Sequence, residues 1–129
     1  MVKVLTVPVT TSGAGAATGY TQPVSGLVRA IAYVPHASTP LDTNADIVVS
    51  GNTSGMAILT KENIGLAAVQ WHPRAGTNAV ADGAALVYIA AGQAVCDLIP
   101  VAEEAIKIVV SNGDASKSGT FFFFIDGGV

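Results

Sequence analysis

The sequence predicts an all-β fold: a single-domain antiparallel β-sandwich, jelly-roll-like or Ig-like, of about eight short strands. Three observations predict it. Apolar residues recur with a period of two along most of the chain. Val, Ile and Thr, which suit a pleated surface, dominate the runs. Clusters of Gly, Pro, Asn, Asp and Ser cut those runs into short lengths. The 129 residues are expected to form one domain, spanning 1–129.

Taken in order, "VKVLTVPV" (Val2 to Val9) is the first strand. Pro8 has no N–H to give a ladder, which points to an edge or a strand end. Residues 10–23 read as a Gly/Ala/Thr-rich loop, or an arm that orders against a neighbour. Leu27 to Val34 alternates as a strand, with Leu27, Arg29, Ile31 and Tyr33 on one face; Pro35 ends it. "PHASTPLDTNAD" is a loop by composition. "DIVVSGNTSGMAILTK" reads as two strands around a Gly-Asn-Thr-Ser-Gly turn. A short strand ends near Trp71, and another is expected around Leu86 to Ala90, followed by a glycine break and a further apolar run. Ala105 to Ser111 and Thr120 to Asp126 flank a polar loop opening with Asn112-Gly113, a hairpin signal. Glycines interrupt every stretch with helical leanings, so only a short turn near Lys61 to Ile64 is allowed.

The last of these strands holds four consecutive phenylalanines. Phe121, Phe123 and Ile125 take one face; Phe122 and Phe124 take the other. An antiparallel sandwich strand normally shows polar residues on its second face. Two readings follow. A loop of the same chain, such as 10–23, covers Phe122 and Phe124, or another subunit does. The second is favoured by composition. Only 12% of residues are charged, against about 25% in typical domains. Mean hydropathy is +0.54, and soluble monomers avoid large exposed apolar patches.

The same composition excludes several classes. The six basic residues, Lys3, Arg29, Lys61, Arg74, Lys107 and Lys117, are scattered through a chain of net charge −3, so no nucleic-acid partner is expected. No apolar run reaches the length of a membrane-spanning helix, and no membrane partner is expected. The N-terminal stretch lacks a sustained hydrophobic region, so no signal peptide is expected. Cys96 is the only cysteine, which rules out an internal disulfide.

Candidate chemistry is sparse. Asp42, Asn44 and Asp46 have the spacing that opens a calcium loop, but Ile47 and Thr53 stand where Gly and Glu are required. His36 and His72 each lie near a proline and read as loop histidines. No Gly-x-Ser-x-Gly elbow and no phosphate-loop fingerprint occurs. Glu103 and Glu104 are strand neighbours that point to opposite faces. No catalytic, cofactor-binding or metal-binding residue is assigned, no cofactor is expected, and the protein is not expected to be an enzyme. The surface candidates are Trp71, His72 and Arg74 in "WHPR", where Trp and Arg are types that anchor interfaces, together with Phe122 and Phe124; Trp71, the only tryptophan, reads equally as a core residue.

Several of these stretches taken together, "SGLVRAIAYV", "ADIVVSGNTSGMAILT", "WHPRAGTN" and above all "EEAIKIVVSNG...KSGTFFFF", resemble small proteins from the structural gene blocks of tailed bacteriophages. The likeness runs from about Val4 onward. Those proteins are short, all-β and non-enzymatic. The resemblance implies a capsid decoration or cement protein that binds the outer capsid and staples neighbouring major capsid subunits. The implied partners are its own copies, as homotrimer or homodimer, and the phage major capsid protein. The implied location is the capsid exterior of a virion assembled in the host cytoplasm. A tail or head–tail connector protein is the structural alternative, and a glycan-binding module using Trp71, Tyr20, Tyr33 or Tyr88 is the other.

Overall fold

The structure, a computed structural model, describes residues 1–87 and 92–127. Its strands are β1 (Val2–Thr10), β2 (Ala17–Tyr20), β3 (Val24–Pro35), β4 (Asp46–Gly51), β5 (Ala57–Lys61), β6 (Val69–Trp71), β7 (Ala75–Gly76), β8 (Cys96–Asp97), β9 (Ile99–Glu104), β10 (Ile106–Ser111) and β11 (Ser118–Asp126). One sheet, here sheet A, runs β1-β11-β3-β6, with β9 also paired to β3; sheet B runs β2-β10-β4-β5. All the strand pairs are antiparallel. The two sheets face each other as a β-sandwich, as the periodicity predicts, and β7 with β8 forms a small separate ribbon.

The core is what the alternation dictates. Leu5, Val7 and Val9 from β1, Ile31 and Tyr33 from β3, and Phe121, Phe123 and Ile125 from β11 point inward from sheet A. Ile47, Val49, Ile106, Ile108 and Val110 meet them from sheet B. Tyr33 stacks on Phe121 with ring centroids 5.0 Å apart. On one side of the sandwich β2 passes so close to β1 that a Cβ on Gly19 would sit 2.6 Å from a Val7 methyl, which is why a glycine stands there.

Three expectations are corrected. The segment 10–23 is not a free loop or arm, because its residues 17–20 are strand β2, hydrogen-bonded along β10. Thr21 extends that pairing: its N–H donates to the Ile106 carbonyl and its hydroxyl accepts from the Ile106 N–H.

The second correction concerns the strands on either side of Asn112-Gly113. They are not a hairpin: β10 pairs with β2 and β4, whereas β11 pairs with β1 and β3. The intervening loop crosses from one sheet to the other. Asn112, Asp114 and Ser116 all adopt left-handed backbone (φ 56°, 66° and 56°). The Thr11 hydroxyl pins this crossover by donating to the Asp114 carbonyl and accepting from the Lys117 N–H.

The third concerns β3, whose alternation is broken. Ile125 pairs with Val28 and Phe124 with Ala30, leaving Arg29 as the extra residue of a bulge. Val28 therefore turns into the core and Leu27 out to solvent, the reverse of the simple two-residue pattern. The expected strand around Leu86 to Ala90 lies partly outside the described residues; Leu86 and Val87 belong to no strand, although Val87 makes an isolated bridge to Ala94. Among the described residues there is no helix.

Candidate interaction face

The outer face of sheet A is built by the residues that alternate with the core. Cross-strand register sets them in rows. Val4, Phe124 and Ala30 form one row. Thr6, Phe122, Ala32 and Gln70 form the next, and Pro8, Thr120 and Val34 the third. Phe122 and Phe124 are half-buried, while Val4 is 51% and Val34 46% exposed. Val2 and Leu27 extend the apolar surface at one end. The charges on this face are gathered at that end, where Arg29 bonds Asp126 at 3.1 Å and the N-terminal ammonium lies 3.7 Å from the same carboxylate. The outer face of sheet B mixes Thr18, Lys107, Ser50 and Thr60 with Tyr20, Val109 and an exposed Val48. It carries more polar side chains than the outer face of sheet A. Residues 17–20 pair in sheet B, so that part of the segment 10–23 does not cover Phe122 and Phe124.

The "WHPR" segment does not join this face. Trp71 pairs with Ile31 and shares its inward side, where it packs half-buried against the core. Pro73 is buried and His72 is exposed. Arg74 has a structural task. Its guanidinium donates to the Arg29 carbonyl at 3.1 Å, in the gap where neither β6 nor β9 pairs with β3. That carbonyl lies where β3 has no ladder partner on this side.

The other candidates resolve into local structure. The His36 Nδ1 accepts from the N–H groups of Ser38 and Thr39, both at 3.1 Å. Asp42 accepts the Asn44 N–H, and Asp46 accepts from the Asn63 N–H and the Asn112 side-chain amide, tying two loops together. Among the described residues no three His, Cys, Asp or Glu side chains group as metal ligands do. Of the aromatic residues considered for a sugar platform, Tyr33 is buried, Tyr20 lies on sheet B, and Tyr88 is outside the described residues. A cleft of about 620 Å³ opens at one end of the sandwich, lined in part by Lys3, Gln22, Ser25 and Glu103. No histidine or cysteine lines it.

Glu104 has a role that the sequence did not reveal. Its carboxylate lies against the β4–β5 turn and accepts the N–H groups of Thr53 (2.8 Å) and Ser54 (2.9 Å). Gly51 makes the room: a Cβ there would stand 2.5 Å from the carboxylate oxygen. The Ser54 N–H, then the Ser54 hydroxyl and the Thr53 N–H, hold the Glu104 pKa below its ordinary value. Desolvation opposes them but does not prevail, although the residue is only 9% exposed. A depressed native pKa gives stability that is present above the unfolded value near 4.3 and lost as pH falls through the native one. Thermal melts of Glu104→Gln are therefore expected to start lower at neutral pH and to lose less on acidification than those of the wild type.

The comparisons with known proteins are brief. No protein family matches the sequence, and no curated protein does. A crystal structure of FLHE is similar over 96% of each chain, at 13% sequence identity and a TM-score of 0.45. That likeness carries no argument about function.

Proposed function

We propose that this protein is a non-enzymatic structural component of a phage particle, of the capsid decoration or cement type. It adheres to the major capsid protein on the capsid exterior and to its own copies. One observation carries the reading: the outer face of sheet A is a broad, half-exposed apolar surface of Phe122, Phe124, Val4, Val34 and alanines, with its charges confined to one end. A flat face of small and aromatic side chains suits close packing on another protein surface. A shallow concavity of about 320 Å³ borders it beside Ala32, Val34, Ala68 and Gln70. Repetition of a modest interface over many symmetric copies gives large net stabilisation through effective concentration. The sequence resemblance to phage structural proteins supplies the class of partner. A tail or head–tail connector location uses the same chemistry on a different part of the particle.

The test is co-sedimentation with empty capsids. Wild-type protein is expected to pellet with them. Phe122→Asp/Phe124→Asp, which puts carboxylates on the outer face and leaves the core untouched, is expected to stay in the supernatant with an unchanged circular dichroism spectrum. Failure of the wild type to bind, or binding by the doubly substituted protein, would overturn the proposal.

A further inference from the structure

The backbone of β1 is the second unusual surface, and it is independent of the outer face. β1 is the edge strand of sheet A. The Gly127 N–H donates to the Met1 carbonyl and the Thr11 N–H to the Lys117 carbonyl, in the same register that pairs Val2 with Asp126. By the alternation of an antiparallel ladder, the odd residues of β1 bond to β11. The N–H and C=O groups of Val2, Val4 and Thr6 therefore point away from the sheet. Among the described residues no other strand pairs with them. Pro8 faces the same way and has no N–H to offer, which is the edge position its sequence predicts.

Sheet edges are normally protected by being short, bulged, charged or interrupted by proline. The other edges here use these devices. β6 spans only Val69–Trp71, and β2 only Ala17–Tyr20 with Gly19 inside it. β5 faces a bulge and ends in exposed Lys61. β9 carries Pro100 and the left-handed Glu103 (φ 51°). The first half of β1 carries one such device, the inward-pointing Lys3, and is otherwise long, regular and free of proline. The Lys3 side chain lines the end cleft.

We infer that residues 2–6 of β1 pair antiparallel with the same residues of a second copy about a twofold axis. The sequence limits the register. Pro8 cannot donate, so a ladder over residues 2–6 that keeps it out sets Val4 opposite the partner's Val4 and Val2 opposite the partner's Thr6. Residues opposite one another in an antiparallel pair share a face. The two outer faces therefore join into one apolar surface with Phe122 and Phe124 on each side. This continuity is the reason for choosing a second copy as the occupant. It gives a twofold dimer and leaves the outer face free for a larger partner.

The test uses the whole protein, its mass in solution by light scattering, and amide hydrogen exchange. Wild type is expected to be a dimer, with slow exchange at Val4 and Thr6 as well as at the odd residues. Val4→Pro removes one outward donor and none of the bonds to β11. It is expected to give a folded monomer, whereas Phe122→Asp/Phe124→Asp keeps the dimer mass. A monomeric or trimeric wild type would sink the inference. So would a Val4→Pro protein of unchanged dimer mass, or fast exchange at Val4 and Thr6 in the wild-type dimer. Because the readout is self-association, a negative result here leaves the capsid experiment unaffected.

Discussion

Phe123→Ala is expected to lower the unfolding free energy by about 3–5 kcal/mol, whereas Phe122→Ala is expected to cost only about 1 kcal/mol. The residues are adjacent and chemically identical. What differs is the face. Phe123 is fully buried, with Leu5 and Ile31 as its cross-strand neighbours, and its removal leaves a cavity in a packed interior. Phe122 lies between Thr6 and Ala32 on the outer surface and keeps part of its ring in water. Chemical denaturation of the two variants at low protein concentration measures the difference. Equal losses would mean that the outer ring is as enclosed as the inner one. If the Phe122→Ala loss grows as protein concentration rises, the missing contact is between copies, because only association makes apparent stability depend on concentration.

That contrast was legible in the sequence, because a period of two assigns the faces of a strand without any knowledge of its partners. The same holds for Pro8 at an edge and for the β4–β5 hairpin, whose Gly-Asn-Thr-Ser-Gly turn is a local signal. The pairing of β11 was not legible. Asn112-Gly113 announces that the chain reverses, but an in-plane hairpin and a crossover between sheets begin with the same residues. The choice here depends on contacts from Thr11, distant in sequence. The bulge at Arg29 was hidden for a related reason. Leu27, Arg29 and Ile31 alternate cleanly on paper, and the extra residue appears only when β3 is laid against β11. Strand β2 was masked by its own composition, since Ala17 and Gly19 suggest a loop while the pairing to β10 supplies the order. For the candidate site, the outward placement of Phe122 and Phe124 was legible, whereas the placement of Trp71 and Arg74 was not. Both read as surface anchors by residue type. Trp71 packs against the core, the alternative its residue type also allowed, and Arg74 bonds the Arg29 carbonyl in a gap between strands that the sequence did not show.

Gly119→Ala is expected to cost about 1–3 kcal/mol, although it adds only a methyl group. Gly119 faces the core from β11, opposite Val9 and Pro35. A Cβ there would lie 2.5 Å from Cε1 of Tyr33 and 3.2 Å from its hydroxyl. The ring cannot slide away cheaply, because it is fully buried and stacked on Phe121. Glycine in a central strand is here the space that an aromatic ring fills. If that is the cause, the cost of Gly119→Ala should fall sharply in a Tyr33→Ala background, a coupling that a double-mutant cycle reads directly. Unchanged cost would place the strain elsewhere. The hydroxyl of Tyr33 behaves differently from its ring. It is buried without a hydrogen-bond partner. Burial dominates and pushes its pKa up, while the nearby Leu41 backbone offsets this only in part without making a well-formed bond. A raised native pKa gives stability that is complete below the unfolded value near 10 and is lost as pH rises through the native one. Tyr33→Phe keeps the ring and removes an unsatisfied polar group, so it should leave the protein as stable as before or up to about 1–2 kcal/mol more stable. It should also remove part of the alkaline loss. A Tyr33→Phe protein clearly less stable at neutral pH would show that the hydroxyl is paired in solution after all, most directly with the Leu41 backbone.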